Sequence, residues 1–206
     1  MRLFSILVFY ILAISLAVAS PINLQARAGG KCYRGRDFPA PNEWVSFSEI
    51  LGKYRGTMLG FNSADEVKFI EQFVHEAAGS SGLDPRIILA VIIQESHGNL
   101  RVAAGGGRTP GIMQALGSPH CQGTAKGGCG KNTIKDMIFA GVLGTGQTTG
   151  LKKCHESNGR SYGAMLRCYN SGHVFNPNDL IQAGPGTPSY VSDIANRLRG
   201  ADPPLC

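Results

Sequence analysis

The chain has 206 residues, a formal net charge of +6, and 43% hydrophobic against 17% charged residues. That length suits one domain with enough chain to bury a real core. The basic balance draws a protein toward anionic polymers such as bacterial walls or acidic glycans, and serves plain solubility equally well. No basic run carries interleaved aromatics, so nucleic acid is excluded as an expected partner.

Met1 and Arg2 give a positive start, and Leu3 to Val18 is almost wholly apolar. Ala17, Val18 and Ala19, followed by Ser20 and Pro21, offer a small-residue cleavage site. Residues 1–19 therefore read as a secretory signal peptide. A membrane anchor is the alternative, but the run is at the short end for a span and no basic cluster follows it. The expectation is a secreted, extracellular monomer without stable membrane association.

Residues 20–60 read as an N-terminal extension, irregular as far as about Asp37, with 20–31 open to removal as a pro-segment. A short helix is predicted around Trp44 to Tyr54, where Trp44, Phe47 and Leu51 form an apolar stripe. Trp44 could stack on a sugar, but beside such a stripe a core role is favoured. Residues 61–206 form the main domain. Ser63 to Glu66 is a capping box opening a helix to about Ala78, with Val67, Ile70, Phe73, Val74 and Ala77 on its apolar face. Glu66, Glu71 and Glu76 fall off that face and read as solvated charges.

Asp84 to Asn99 carries the strongest pattern in the chain. Asp84 suits an N-cap and Pro85 the first helical position. Ile87 to Ile93 runs without a polar break, so this helix is apolar on every face and should be surrounded by protein. Gly98 is a natural stop. Glu95 lies in the last turn and shares a face with Val91 and Ile92. Poor solvation and the negative end of the helix dipole both favour its protonated form, which is what a general acid needs. A structural carboxylate capping nearby backbone is the plainer reading.

From Ser96 to Lys135 there is no acidic residue, and glycines are dense, including Gly105, Gly106, Gly107 and Gly111. The stretch reads as a loop-rich insertion with room for a small hairpin. Asn132 is expected to cap a helix from Thr133 to Leu143, with Asp136 as a surface charge in its first turn. After a turn at Gly144 to Gly150, one helix of undefined start runs to about Asn170. Asn176, Pro177 and Gly184 to Pro188 mark loops, and Tyr190 to Leu198 forms the last helix.

The six cysteines, Cys32, Cys121, Cys129, Cys154, Cys168 and Cys206, all lie beyond the signal. An even number in an oxidising compartment implies disulfides. Proximity in sequence suggests Cys121–Cys129 and Cys154–Cys168, leaving Cys32–Cys206 to tie the ends. There is no CxxC pair and His120 beside Cys121 stands alone, so neither a metal site nor a cofactor is expected.

Three short pieces then line up: Glu95 and Ser96 closing the buried helix, Gly111-Ile112-Met113-Gln114 in the glycine-rich region, and Cys168-Tyr169-Asn170-Ser171-Gly172 ending a later helix. Their order and spacing resemble the soluble lytic transglycosylase domain, which belongs with goose-type lysozymes in glycoside hydrolase family 23. The resemblance covers about Phe61 to Leu198, and Pro188-Ser189-Tyr190-Val191 is similar to the segment before that family's last helix. Several helices, few strand signals and no internal repeat already point to a mainly α, loop-rich domain stapled by the disulfides, and the resemblance implies that it is lysozyme-like with a glycine-rich loop or small hairpin insertion. It implies Glu95 as the catalytic acid and base, and Ser96 as a residue holding the site together. Met113 and Gln114 would line the sugar subsites, Tyr169 would point its hydroxyl into the cleft near Glu95, and Asn170 would support that corner.

Two departures narrow the implied chemistry. Many bacterial members carry a serine about nine residues after the catalytic glutamate, where this chain has Ala103, Ala104 and Gly105. The acid-free stretch also removes the downstream aspartates with which some goose-type lysozymes place a water. The resemblance therefore implies one-carboxylate cleavage of β-1,4 bonds in N-acetylhexosamine polymers, with a polysaccharide as the partner. Peptidoglycan is the first expected substrate. A chitin-active enzyme of the same fold and a non-catalytic secreted glycan-binding effector are the alternatives.

Overall fold

A computed structural model describes residues 30–206. The signal peptide expected at 1–19, and residues 20–29 of the segment read as a possible pro-segment, lie outside the described residues.

Among the described residues the fold is mainly helical. A 3-10 turn at Pro41–Glu43 precedes α1 (Phe47–Phe61), α2 (Ala64–Ser81), α3 (Pro85–Ser96), α4 (Lys131–Leu143), α5 (Gly150–Ser157), α6 (Tyr162–Ser171) and α7 (Tyr190–Leu198). The possible hairpin reduces to a single antiparallel bridge between Gly105 and Thr109. No described helix is long and apolar enough to cross a membrane.

The centre of the fold is α3. Asp84 accepts from the Arg86 amide at its N-terminus, Pro85 occupies the first turn, and all seven residues from Ile87 to Ile93 have 0% exposure. Helices α1, α2 and α7 pack directly against it, which is the only way to cover a helix that is apolar all round. Each large aliphatic side chain so buried contributes roughly 1.5–3 kcal/mol by transfer from water. α4 packs on α2 and α5, α5 on α6, and α6 on α7, closing the ring around the core.

The capping box at Ser63 and Glu66 opens α2 as expected, and a second one at Ser46 and Glu49 opens α1. Several boundaries differ from the sequence reading. α3 is stopped by His97, whose φ of 54° is left-handed, rather than by Gly98. Gly98 follows at φ 76°, and a Cβ there would lie 2.6 Å from Met58 Cγ, so its small size serves packing. α4 starts at Lys131 with Gly130 in the cap position, so Asn132 lies inside the first turn instead of capping it. The single helix expected to end near Asn170 is two, α5 and α6. They are separated by a turn in which Arg160 adopts φ 58° and Ser161 caps α6 by accepting from Ala164.

The boundary drawn at 60/61 falls on the last residues of α1, whose Ile50, Leu51 and Met58 join the same core as α3. Trp44 is a core residue, 6% exposed, edge-on to Tyr162 at 5.0 Å with the Arg86 guanidinium over its ring. Its indole N–H donates to the Pro39 carbonyl, so the one polar atom is satisfied.

All three disulfides pair as sequence proximity suggested: Cys121–Cys129, Cys154–Cys168 and Cys32–Cys206. The last closes a separation of 174 residues. On chain-entropy grounds a loop of that length is worth about 5 kcal/mol against the unfolded state. Beside it, Ser192 and Asn196 of α7 hydrogen-bond the backbone of Lys31 and Tyr33, so the N-terminal strap is fastened covalently and by hydrogen bonds.

The largest correction concerns Glu66. It is 2% exposed, not a solvated charge. Its carboxylate meets Arg101 Nη2 at 2.6 Å and accepts from the amides of Ser63, Gly127 and Cys129 at 2.8, 3.0 and 2.9 Å. Burial opposes its ionisation, but Arg101 and the three amides outweigh that and hold it at about 2. Glu66 is thereby the anchor of the Cys121–Cys129 loop on α2. Glu76 is half-buried and pairs with Lys135 at 3.0 Å.

Candidate active site

Glu95 sits where the apolar run of α3 ends. Part of its surface remains open to solvent, yet most of its surroundings are protein. Burial raises its pKa to about 7, against the effect of a hydrogen bond from the Tyr190 hydroxyl, which lowers it. That bond is 2.5 Å from Tyr190 Oη to Glu95 Oε1. No neighbouring carboxylate contributes to the shift. A carboxylic acid with this pKa holds its proton in a good share of molecules at neutral pH, and its one close partner orients it.

Tyr190 is the first residue of α7 and is 2% exposed. Tyr169, on α6, lies close enough for the charge of Glu95 to oppose its ionisation. Its hydroxyl, however, donates to the Met113 carbonyl at 2.7 Å and not to Glu95. Burial first, and the charge of Glu95 second, push both phenols well above their ordinary pKa, so both act as neutral O–H donors. The hydroxyl bonded to the acid is therefore that of Tyr190, while Tyr169 lies nearby with its hydroxyl on the Met113 carbonyl.

The remaining predicted site residues gather here, but their side chains are used differently. Ser96 is 4% exposed; its hydroxyl donates to Ile92 O at 3.0 Å and accepts from Gly98 N at 3.1 Å, which secures the end of α3. Met113 is fully buried, with its sulfur against Gly141 of α4, where a Cβ would lie 2.5 Å away. Its side chain therefore lines no surface, and what it offers the site is the carbonyl held by Tyr169. Gln114 adopts a left-handed backbone, φ 49°. Its Oε1 accepts from Gly105 N at 2.7 Å and its Nε2 donates to Gly111 O at 3.0 Å. The amide thus folds the 105–111 loop instead of standing free. Asn170 Oδ1 accepts from Thr187 N at 2.7 Å and from Arg167 Nη1 at 3.0 Å, tying the end of α6 to the approach to α7.

Asp136, the first acid after the acid-free stretch, is exposed on α4. Asp193, the buried acid of α7, accepts from Ser189 and Gln94. Among the described residues no group of three or more His, Cys, Asp or Glu side chains could hold a metal ion.

Sequence reasoning missed Tyr190 as a site residue, although the Pro188-Ser189-Tyr190-Val191 piece carried the signal. It also missed Arg167, which is completely buried and which nothing in the local pattern distinguishes from a surface arginine. Comparison with protein-family models, with curated proteins and with solved structures finds no match for this chain.

Proposed function

We propose that this chain is a secreted glycan-cleaving enzyme of lysozyme-like, lytic-transglycosylase type, acting on β-1,4 bonds of N-acetylhexosamine polymers, peptidoglycan first. The single observation that carries the reading is the Glu95–Tyr190 pair. It is a carboxylic acid raised to about 7 by burial at the end of a rigid helix, aimed by a hydroxyl at 2.5 Å, and still in reach of solvent. The nearness of Tyr169, bonded to the Met113 carbonyl, supports the same reading. The signal-like start of the sequence and the three disulfides support secretion.

In the proposed reaction the Glu95 O–H proton goes to the glycosidic oxygen. The bond from the anomeric carbon to that oxygen breaks with its electron pair leaving on the departing sugar. The oxocarbenium-like centre is captured by a hydroxyl of the same sugar or by water, and the proton that capture releases returns to Glu95. No second carboxylate perturbs Glu95, so the one-carboxylate route is preferred to the paired-carboxylate scheme of most glycosidases.

The test is clearing of bacterial cell walls by the purified protein and by Glu95→Gln, with mass spectrometry of the products. Loss of clearing in the variant is expected; equal clearing by both proteins sinks the assignment. A product lighter than the hydrolysed sugar by one water marks internal capture. Release from chitin but not from peptidoglycan moves the substrate. Binding to either polymer without any product replaces the enzyme by a glycan-binding protein.

A further inference from the structure

Arg167 is a cation with no exposed surface, and its partners are all neutral. Nε donates to Leu180 O at 2.8 Å. Nη1 donates to Asn170 Oδ1 at 3.0 Å and Ser171 Oγ at 2.9 Å, and Nη2 to the carbonyls of Thr187 and Pro188 at 3.0 and 3.1 Å. These acceptors match the five N–H groups of a guanidinium one for one. Burying an arginine without a carboxylate is costly, and burial accordingly lowers its pKa. Filling space alone would be served better by an apolar side chain. The partners say what the cation does instead. Asn170 and Ser171 close α6 directly after Tyr169. Leu180, Thr187 and Pro188 lie on the chain that leads into α7, whose first residue is Tyr190.

The loop is seated closely on this fork. A Cβ at Gly186 would lie 2.5 Å from Ser171 Oγ and 3.2 Å from Arg167 Nη1, and would collide with Asn170 Oδ1. Asn170 Oδ1 also accepts from Thr187 N, so one oxygen joins the loop and the guanidinium. The charge of Arg167 is felt at Tyr190, where it favours a more acidic hydroxyl and so a stronger donor.

We infer that Arg167 is a positioning residue for the acid: its fork fixes the 180–188 loop so that Tyr190 enters α7 with its hydroxyl on Glu95. The inference rests on Glu95 being the working acid, as proposed above. Glu95 is faced by Tyr190 from α7 and Tyr169 from α6, and Arg167 reaches it only through Tyr190.

The experiment is a carbon-NMR titration of the Glu95 carboxyl in the disulfide-bonded chain without substrate. It compares the parent with Tyr190→Phe, Arg167→Met, Gly186→Ala and the Tyr190→Phe/Arg167→Met double variant. Loss of the Tyr190 bond raises the Glu95 titration, since that bond lowers it. Arg167→Met is expected to raise it in the same direction, and the double variant to go no further than Tyr190→Phe alone. Gly186→Ala, which keeps every charge and only lifts the loop from the fork, is expected to raise it in part. An unmoved titration in Arg167→Met and Gly186→Ala beside a moved one in Tyr190→Phe overturns the inference, as does strict additivity in the double variant. If Arg167→Met does not fold, Gly186→Ala decides alone. The titration needs no turnover. A chain inactive on every glycan but with coupled titrations retires the enzymatic reading and keeps the positioning role; an active chain with uncoupled titrations does the reverse.

Discussion

Glu66 and Glu95 are two carboxylates taken out of water by the same core, and they end at opposite extremes. Glu66 is held at about 2 and Glu95 is raised to about 7. Burial pushes both upward, so the difference lies in what each meets. Glu66 stands in the first turn of α2 and collects the Ser63 amide at the helix cap, the Gly127 and Cys129 amides of the disulfide loop, and the Arg101 guanidinium. Glu95 stands in the last turn of α3, where the carbonyls point, and collects one hydroxyl. A buried carboxylate is thus an anchor or an acid according to the donors within reach, most of which for Glu66 come from a loop distant in sequence.

The sharpest way to break the comparison is to remove each charge in turn. On the proposed reading of Glu95 as the general acid, Glu95→Gln is expected to cost at least about a hundredfold in wall-clearing rate while leaving the fold intact. Glu66→Gln should leave activity chemistry untouched in kind but strand Arg101 in a buried site. It should destabilise the protein by about 3–5 kcal/mol, read as a lower urea midpoint. A Glu66→Gln protein as stable as the parent would show that the latch is replaceable.

The pH dependence should separate the two residues by sign. Taking 4.5 as the unfolded value, Glu66 has a depressed pKa, so its contribution is present above 4.5 and is lost as pH falls toward 2. Glu95 has a raised pKa, so the folded state keeps a proton the unfolded chain gives up, and stability falls as pH rises from 4.5 to about 7. Each arm is of the order of 3 kcal/mol. Urea midpoints between acid and neutral pH should therefore peak near the shared reference. Glu66→Gln should flatten the acid arm, and Glu95→Gln the neutral arm, leaving that variant more stable than the parent at neutral pH. Activity should fall as pH rises through about 7, since the acid must be protonated.

The smallest effect is expected from Tyr190→Phe, which removes one hydroxyl. Glu95 should titrate higher, displacing the alkaline limb of the rate upward, at a stability cost of about 1 kcal/mol. A limb that moves down would mean that the hydroxyl favours the protonated acid instead.

Much of this frame was legible from local pattern. The Ser63–Glu66 box, the Asp84–Pro85 start of α3 and its unbroken apolar run each state a local preference that the fold keeps. Nearness in sequence was enough to pair the two short disulfides, and the long one followed by exclusion. Glu95 itself was legible because a carboxylate at the end of an all-apolar helix has few places to find water. The break between α5 and α6 was missed although the chain marks it: residues 155–161 carry no apolar side chain, and Gly159 and Arg160 are both left-handed. The use of Gln114 and Met113 was not legible: a motif names a side chain, but whether it faces a cleft, a loop or the core depends on segments far away in sequence.

The amino-acid sequence by itself determined most of the helices, the N-terminal caps of α2 and α3 and the position of one acid at the end of the central helix, because those depend on neighbours within a few residues. Only the tertiary structure decided which hydroxyl meets that acid, which arginine loses all contact with water, and which glutamate becomes an anchor. Tyr190 and Glu95 are 95 residues apart, and Glu66 and Cys129 are 63 apart. Whether a buried charge is opposed or satisfied is set by such distant partners, whose donors come into reach only when the chain has closed on itself.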